Sequence, residues 1–426
     1  MSLLTSLSAG TTGLASASAE LSVVSDNLAN TNTVGFKAGR AAFEDVLAQS
    51  VVGGGGDVGL GSRLSAVQKI ITQGALANTG LSTDLALEGP GYFILRGSAM
   101  GRHGQYYSRA GQFTMDREGF LVNLDGLRVQ GYGADPSGAM TSAFGDLQVG
   151  TGSSQPRATT TITLRTNLQA DATVPPAWDP VSPAPTSNFS TSVTVYDSLG
   201  SSHEVQIYFR KTGAGAWEWH GMSDGGGLTG GTAGTPMEVA SGTLSFDAQG
   251  RLTAETQTSS FDPLGALNPQ ALRFNFGSMY PAGSGVDGAT QFTNPSATGF
   301  VNQDGWSAGD LSSIQIERDG RVTGLFTNGQ TRTIAQVAVA NFSAPDQLER
   351  IGSTLLAQSQ RSGEPAIGAA GEGGRGTIAA GALEQSNVDI AEQFVRMIAA
   401  QRAFEANSKT ITTADQLLNE LIAMKR

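Results

Sequence analysis

Trp217-Glu218-Trp219-His220 is the one cluster in the chain whose residue types resemble a binding site. Aromatic faces flanking a carboxylate can stack on a sugar ring, as in a secreted β-rich polysaccharide-binding protein. On a strand, however, Trp217 and Trp219 share one face, and two large aromatics on one face more often fill a core. Other chemistry finds less support. Cysteine is absent, which excludes thiolate nucleophiles, disulfides and Cys-ligated metals, and the three histidines (His103, His203, His220) are scattered. Most carboxylates fall in Asp-x-x-Gly or Asp-Gly turns, where Asp bonds its own backbone, so few remain for the acid/base pair of a glycosidase. Gly53-Gly54-Gly55-Gly56-Asp57 and Gly225-Gly226-Gly227 lack the Gly-Lys-Ser/Thr of a phosphate loop, and no Gly-x-Ser-x-Gly elbow lies between a strand and a helix. The reading is no enzyme, no metal and no cofactor.

The bulk properties narrow the class further. A chain of 426 residues holds two or three domains. Its net charge of −11 opposes a non-specific nucleic-acid binder. Only 15% of residues are charged, against roughly 25% in ordinary domains. No run of ~18 apolar residues is present, so no membrane insertion is expected. No Lys or Arg precedes Lys37, and Ser, Thr and Gly interrupt the opening apolar residues, unlike a cleavable secretory signal. Composition leaves open a cytoplasmic protein or one exported without a cleavable signal.

Two elements stand out at the ends. Leu3, Leu7, Gly10, Leu14, Ala17, Leu21, Val24 and Leu28 alternate at spacings of four and three, which predicts one seam of a helix packed in coiled-coil fashion. Its other faces carry Ser, Thr, Ala and Asn, and Gly35 ends the pattern. Ile390, Phe394, Met397, Gln401, Phe404, Ser408, Ile411, Asp415, Leu418 and Ile422 repeat the spacing, with Val395, Ile398, Leu417 and Leu421 widening the stripe. Ser386 or Asn387 is the expected N-cap, with Asp389 favouring the positive helix end. Gly-rich stretches (Gly53 to Gly56, Gly368 to Gly381) fence off both ends. The termini are therefore expected to be poorly ordered in a lone chain and to fold against each other when copies meet.

Between them the periodicity falls to two, with short runs closed by Asp/Asn-Gly turns such as Asp125-Gly126 and Asn328-Gly329. The fold class is α+β: terminal coiled-coil helices and two mostly antiparallel β domains, the outer one inserted in the inner one. Composition breaks near Gly145 to Pro156 and Pro281 to Pro295 mark the insertion.

Four segments resemble the bacterial flagellar hook proteins, of the axial family that includes the rod subunits. Leu21 to Lys37, containing Asn27, Asn30, Gly35 and Phe36, is similar to its rod-type signature. Thr83 to Phe93 and Tyr107 to Phe113 with Leu121-Val122-Asn123 resemble blocks of its first β domain. Gly381 to Asp389, containing Ser386, Asn387 and Asp389, resembles its C-terminal block.

The resemblance implies a self-assembling structural subunit of the hook, a curved hollow tube acting as a universal joint between rod and filament. It implies terminal helices (1–33 and 385–426) in an inner core, with an inner β domain (72–145 and 296–362) and an outer variable β domain (146–295). The Gly-rich stretches near 53–61 and 368–381, within the linker segments 34–71 and 363–384, are read from composition as joints between those layers. Assembly would run through Leu3, Leu7, Leu14, Leu21, Val24 and Leu28, and through Ile390, Phe394, Met397, Phe404, Ile411, Leu418 and Ile422. Implied partners are other copies, the distal rod protein, the hook cap protein, the hook-filament junction proteins and the flagellar type III export apparatus. The location would be the extracellular flagellum. A distal-rod-type subunit is the alternative within the family; the polysaccharide binder is the alternative outside it.

Overall fold

The computed structural model describes residues 3–46, 49–50, 57–58, 60–150 and 152–424. The chain divides into two compact units, one formed by 1–152, 313–325 and 331–426, the other by 153–312 and 326–330.

In the first unit, helix α1 spans Leu3–Ala29. It ends where Asn30 Nδ2 donates to the Asp26 carbonyl (2.9 Å) and Gly35 takes φ +70°. Strands β1 (Gly39–Asp45) and β2 (Ser62–Lys69) then form an antiparallel ribbon on which α1 lies. The Ser and Thr of α1 suit this seat, since Ser16 Oγ lies 3.0 Å from Ser62 Oγ. Helix α2, Ile390–Met424, closes the unit. Its N-cap is Asp389, whose Oδ1 accepts the N–H groups of Ala391 (2.8 Å) and Glu392 (3.2 Å). Ser386 and Asn387, the expected caps, sit too early in the chain; the Asn387 side chain instead accepts the Ala38 N–H (2.8 Å) and donates to the Ile70 carbonyl (2.9 Å).

The β part of this unit is mostly antiparallel. Tyr92–Ala99 pairs with Arg102–Ser108, and Thr331–Asn341 pairs with Arg128–Ala134. Tyr92, Ile94, Tyr107, Ala338, Ala340 and Phe342 pack beneath it. Asp turns tie the hairpins: Asp116 Oδ1 accepts the N–H groups of Glu118 (2.9 Å) and Phe120 (2.8 Å).

The segment expected as a C-terminal joint is built of paired strands. Ala366–Ala369 pairs with Thr331–Asn341, Thr377–Ala380 with Leu85–Glu88, and Ala382–Glu384 with Leu76–Asn78. Glycine composition misled here, because alternating Ala and Ile residues supply strand positions between the glycine turns. The run Gly53 to Gly56 lies outside the described residues.

The second unit carries a five-stranded antiparallel sheet from Phe189–Tyr196 to Leu252–Ser259 and a three-stranded sheet of Thr161–Asn167, Arg273–Asn275 and Ala297–Gln303. Pro281 to Pro295 is a loop inside this unit and not its end, because the following strand returns to pair with Thr161–Asn167. Trp217 and Trp219 are wholly buried, with Trp219 4.6 Å from Phe274 and 5.2 Å from Phe276, ring to ring. They cannot present a sugar platform. Their strand alternates, so His220 turns to the opposite face and stacks on Trp178 at 4.0 Å.

Candidate functional site

The paired terminal helices leave several large apolar side chains of α2 uncovered. Contrary to the expectation of unpartnered ends, α1 and α2 lie along each other within one chain. Their contact uses small and polar residues. A Cβ on Gly10 would lie 3.1 Å from Ile411 Cγ1, and one on Gly13 only 2.7 Å from Asn407 Oδ1, so glycine lets the axes approach closely. Buried Ala17 and Val24 of α1 and Ala400 and Ala414 of α2 continue the contact. At its far end Asn27 Nδ2 donates to Gln393 Oε1 (3.0 Å) and the Gly39 carbonyl (2.8 Å), while Asn27 Oδ1 accepts the Gly39 N–H (2.7 Å).

The expected seam of α2 therefore splits. Met397, Ile411 and Leu418 are partly covered, together with the buried Gln393 and Ala400. Ile390, Phe394, Val395 and Ile398 are 51%, 48%, 67% and 50% exposed, and Phe404, Leu417 and Ile422 are also open. Periodicity located a stripe but not its contact line, because Gln393, Ala400 and Ala414 of α2 fall outside the 3,4 spacing of the larger apolar residues. On α1, Leu7, Leu14, Leu21 and Leu28 are half-buried flanks beside the tighter Ala17 and Val24. The side chain of Leu3 lies outside the described residues.

The roots of both helices are clamped by an ion network that sequence reasoning missed. Glu384, fully buried, accepts Lys37 Nζ (2.5 Å) and the Gly74 N–H (2.9 Å) on Oε1 and Arg109 Nη1 (3.2 Å) on Oε2. Lys37 also donates to the Thr72 carbonyl (2.7 Å), and Arg109 to the Gly89 carbonyl (2.7 Å). Burial lowers the Lys37 pKa despite the Glu384 carboxylate beside it. Gly35 N–H donates to the Glu384 carbonyl (2.8 Å), and Phe36 lies under the Arg350 guanidinium, 4.9 Å from its ring centre. Arg350 in turn pairs with Asp26 (3.2 Å) near the end of α1. Asn30 accepts the Thr33 hydroxyl (3.0 Å), and Ser386 Oγ accepts the Val388 N–H (3.4 Å). The motif residues thus hold chain turns at the helix roots and leave the exposed stripe free. The missed signal was the charge itself: Lys37, Arg109 and Glu384 are ions within segments otherwise almost neutral.

Among the described residues, no helix is long and apolar enough to cross a membrane.

Comparison with known proteins follows the same layout. Residues 7–37 match the family described as flagella basal body rod protein, and 379–424 match flagellar basal body rod FlgEFG protein C-terminal. Residues 86–175 match flagellar hook protein FlgE/F/G D1 domain, and 167–306 match flagellar basal body protein FlaE D2 domain. Flagellar hook protein FlgE of Salmonella typhimurium (strain LT2) is 34% identical over 427 residues, covering 99% of this chain and 100% of that protein. The one of Borreliella burgdorferi is 34% identical over 450 residues, with 99% and 100% covered. The crystal structure of Helicobacter pylori flagellar hook protein FlgE2 aligns with 72% of this chain and 100% of its own, at 15% identity and a TM-score of 0.48.

Proposed function

The chain belongs to the bacterial flagellar hook protein family, and from that premise we propose that its paired terminal helices are the parts through which copies join into the hook. The observation that carries this reading is the row Ile390, Phe394, Val395 and Ile398, 48–67% exposed on a helix whose other side is already packed. Contiguous apolar surface of this kind gains about 25 cal/mol per Å² when covered, and a second copy supplies the cover. The clamp at Glu384, Lys37 and Arg109 keeps the helix roots in one geometry, so less ordering is left to assembly.

A universal joint needs an inner wall that stays continuous while other parts of each copy slide past their neighbours; the helices assigned to that wall belong to the first unit, and the second is compact in its own right. By the same reading the ends of the tube meet the distal rod protein and the junction proteins, the cap protein sits at the growing tip, and the chain reaches it by type III export without a cleavable signal.

Phe394→Asp and Ile398→Asp test the proposal. Both positions are exposed, so circular dichroism and melting stay unchanged. Electron microscopy of the variants after a sulfate step, which strengthens apolar burial, is expected to show no hollow curved tubes where the unaltered chain forms them. Normal tubes from both variants would overturn the assignment.

A further inference from the structure

On the flank of α2 turned away from Phe394, a groove of about 430 Å³ opens between α1, α2 and the β1–β2 ribbon. Its walls include Gly13, Phe43, Arg396, Ala399 and Ala403, and the Arg396 guanidinium is taken up by Glu392 (2.8 Å). Glu20 lies at its rim. Glu20 and Asp26 are the only charged residues of α1. Asp26 is paired with Arg350, whereas Glu20 has no ion partner within 4 Å among the described residues.

Because Arg396 is paired with Glu392, Glu20 is the unpaired charge of the groove, and the exposed row on α2 offers it apolar side chains and a cation. At about 100° per residue, Ala403 lies roughly 180° around the helix from Phe394, so groove and row occupy opposite flanks of one element. Phe394, Ile398 and Arg402 follow at intervals of one turn, about 6 Å apart. Arg402 is exposed and likewise has no ion partner among the described residues. A tube built by repeating one contact requires two different surfaces on each copy, one entering and one receiving.

We propose that the groove of one copy receives the α2 row of the next, with Ile398 set against Phe43 and Ala403 and Arg402 paired with Glu20. This rests on the assembly reading above and adds to it which face meets which. The contact is heterologous, so the same face never meets itself.

The absence of cysteine allows a direct test. Chains carrying Ala403→Cys and chains carrying Ile398→Cys are assembled together and treated with a short bifunctional thiol linker. Linked dimers are expected from the mixed tubes and from neither chain assembled alone. Tubes that give no dimers, or dimers from Ile398→Cys alone, would overturn the proposal. Charge exchange supplies a second readout. Glu20→Arg and Arg402→Glu should each raise the protein concentration needed for tubes roughly threefold to tenfold, and the double variant should return it to within about twofold. A double variant no better than either single one would also overturn it. If the unaltered chain forms no tubes, the assembly reading itself fails and takes this contact with it.

Discussion

Asn27 and Gln393 stand 366 positions apart and meet through a buried 3.0 Å hydrogen bond that joins the end of α1 to the start of α2. The same Asn27 amide pairs with both backbone groups of Gly39, so one side chain fixes helix, helix and ribbon together. This is a positional device. An apolar pair would have filled the space, but only a donor–acceptor match selects one register.

Asn27→Leu should therefore loosen the helix pair more than its volume change suggests. It leaves the Gly39 N–H, the Gly39 carbonyl and Gln393 without their partner, at about 1–3 kcal/mol for each buried group. Hydrogen exchange should accelerate along α1 while the second unit is unaffected. Protection unchanged along α1 would contradict the role assigned to Asn27.

Gly35→Ala should destabilise the first unit. Gly35 has φ +70°, and an added Cβ would lie 2.6 Å from the Ala110 nitrogen and from the Arg109 carbonyl carbon, both backbone atoms that cannot step aside. A loss of at least about 2 kcal/mol in urea unfolding is expected. A loss below half of that would mean the turn relaxes.

Glu384→Gln should cost more than either single cation change in the same cluster. Removing the carboxylate leaves Lys37 and Arg109 buried together, at about 3–5 kcal/mol. Lys37→Met leaves Glu384 with Arg109 and the Gly74 N–H, so its effect should be smaller. Equal losses in both variants, measured by denaturant midpoint, would argue against a shared anion at the centre.

How much of this was legible in the sequence depended on what each residue's neighbours were. The 3,4 spacing of Leu7, Gly10, Leu14, Ala17, Leu21, Val24 and Leu28 identified α1, and the strand alternation of Trp217 and Trp219 already favoured a core over a sugar site. Part of the helix contact was hidden because Gly13, Ala400 and Ala414 carry almost no hydrophobic signal, yet closeness of approach depends on small side chains. The Glu384 cluster was hidden for another reason. Its members come from positions 37, 109 and 384, and nothing local records that three chain turns converge. Glycine was the least reliable guide, marking residues 363–384 as a joint where short strands pair with 76–78, 85–88 and 331–341.

Alkaline pH should weaken the first unit through Tyr92. Burial pushes its phenol up to about 12 from the usual 10.0, opposed only in part by nearby Arg109. Between pH 10 and 12 the unfolded chain gives up this proton while the folded chain keeps it, so stability falls as pH rises, by about 2 to 3 kcal/mol at the upper end. Lys37 acts oppositely and earlier. Its lowered value lets the folded state release a proton first, so its contribution to stability rises with pH up to 10.5. Tyr92→Phe separates the two. The Tyr92 hydroxyl has no hydrogen-bond partner among the described residues and borders a cavity of about 300 Å³, so its removal costs little at neutral pH. Urea midpoints at pH 9.5 and 11.5 should fall less in Tyr92→Phe than in the unaltered chain. Equal falls would show that the buried phenol is not what titrates.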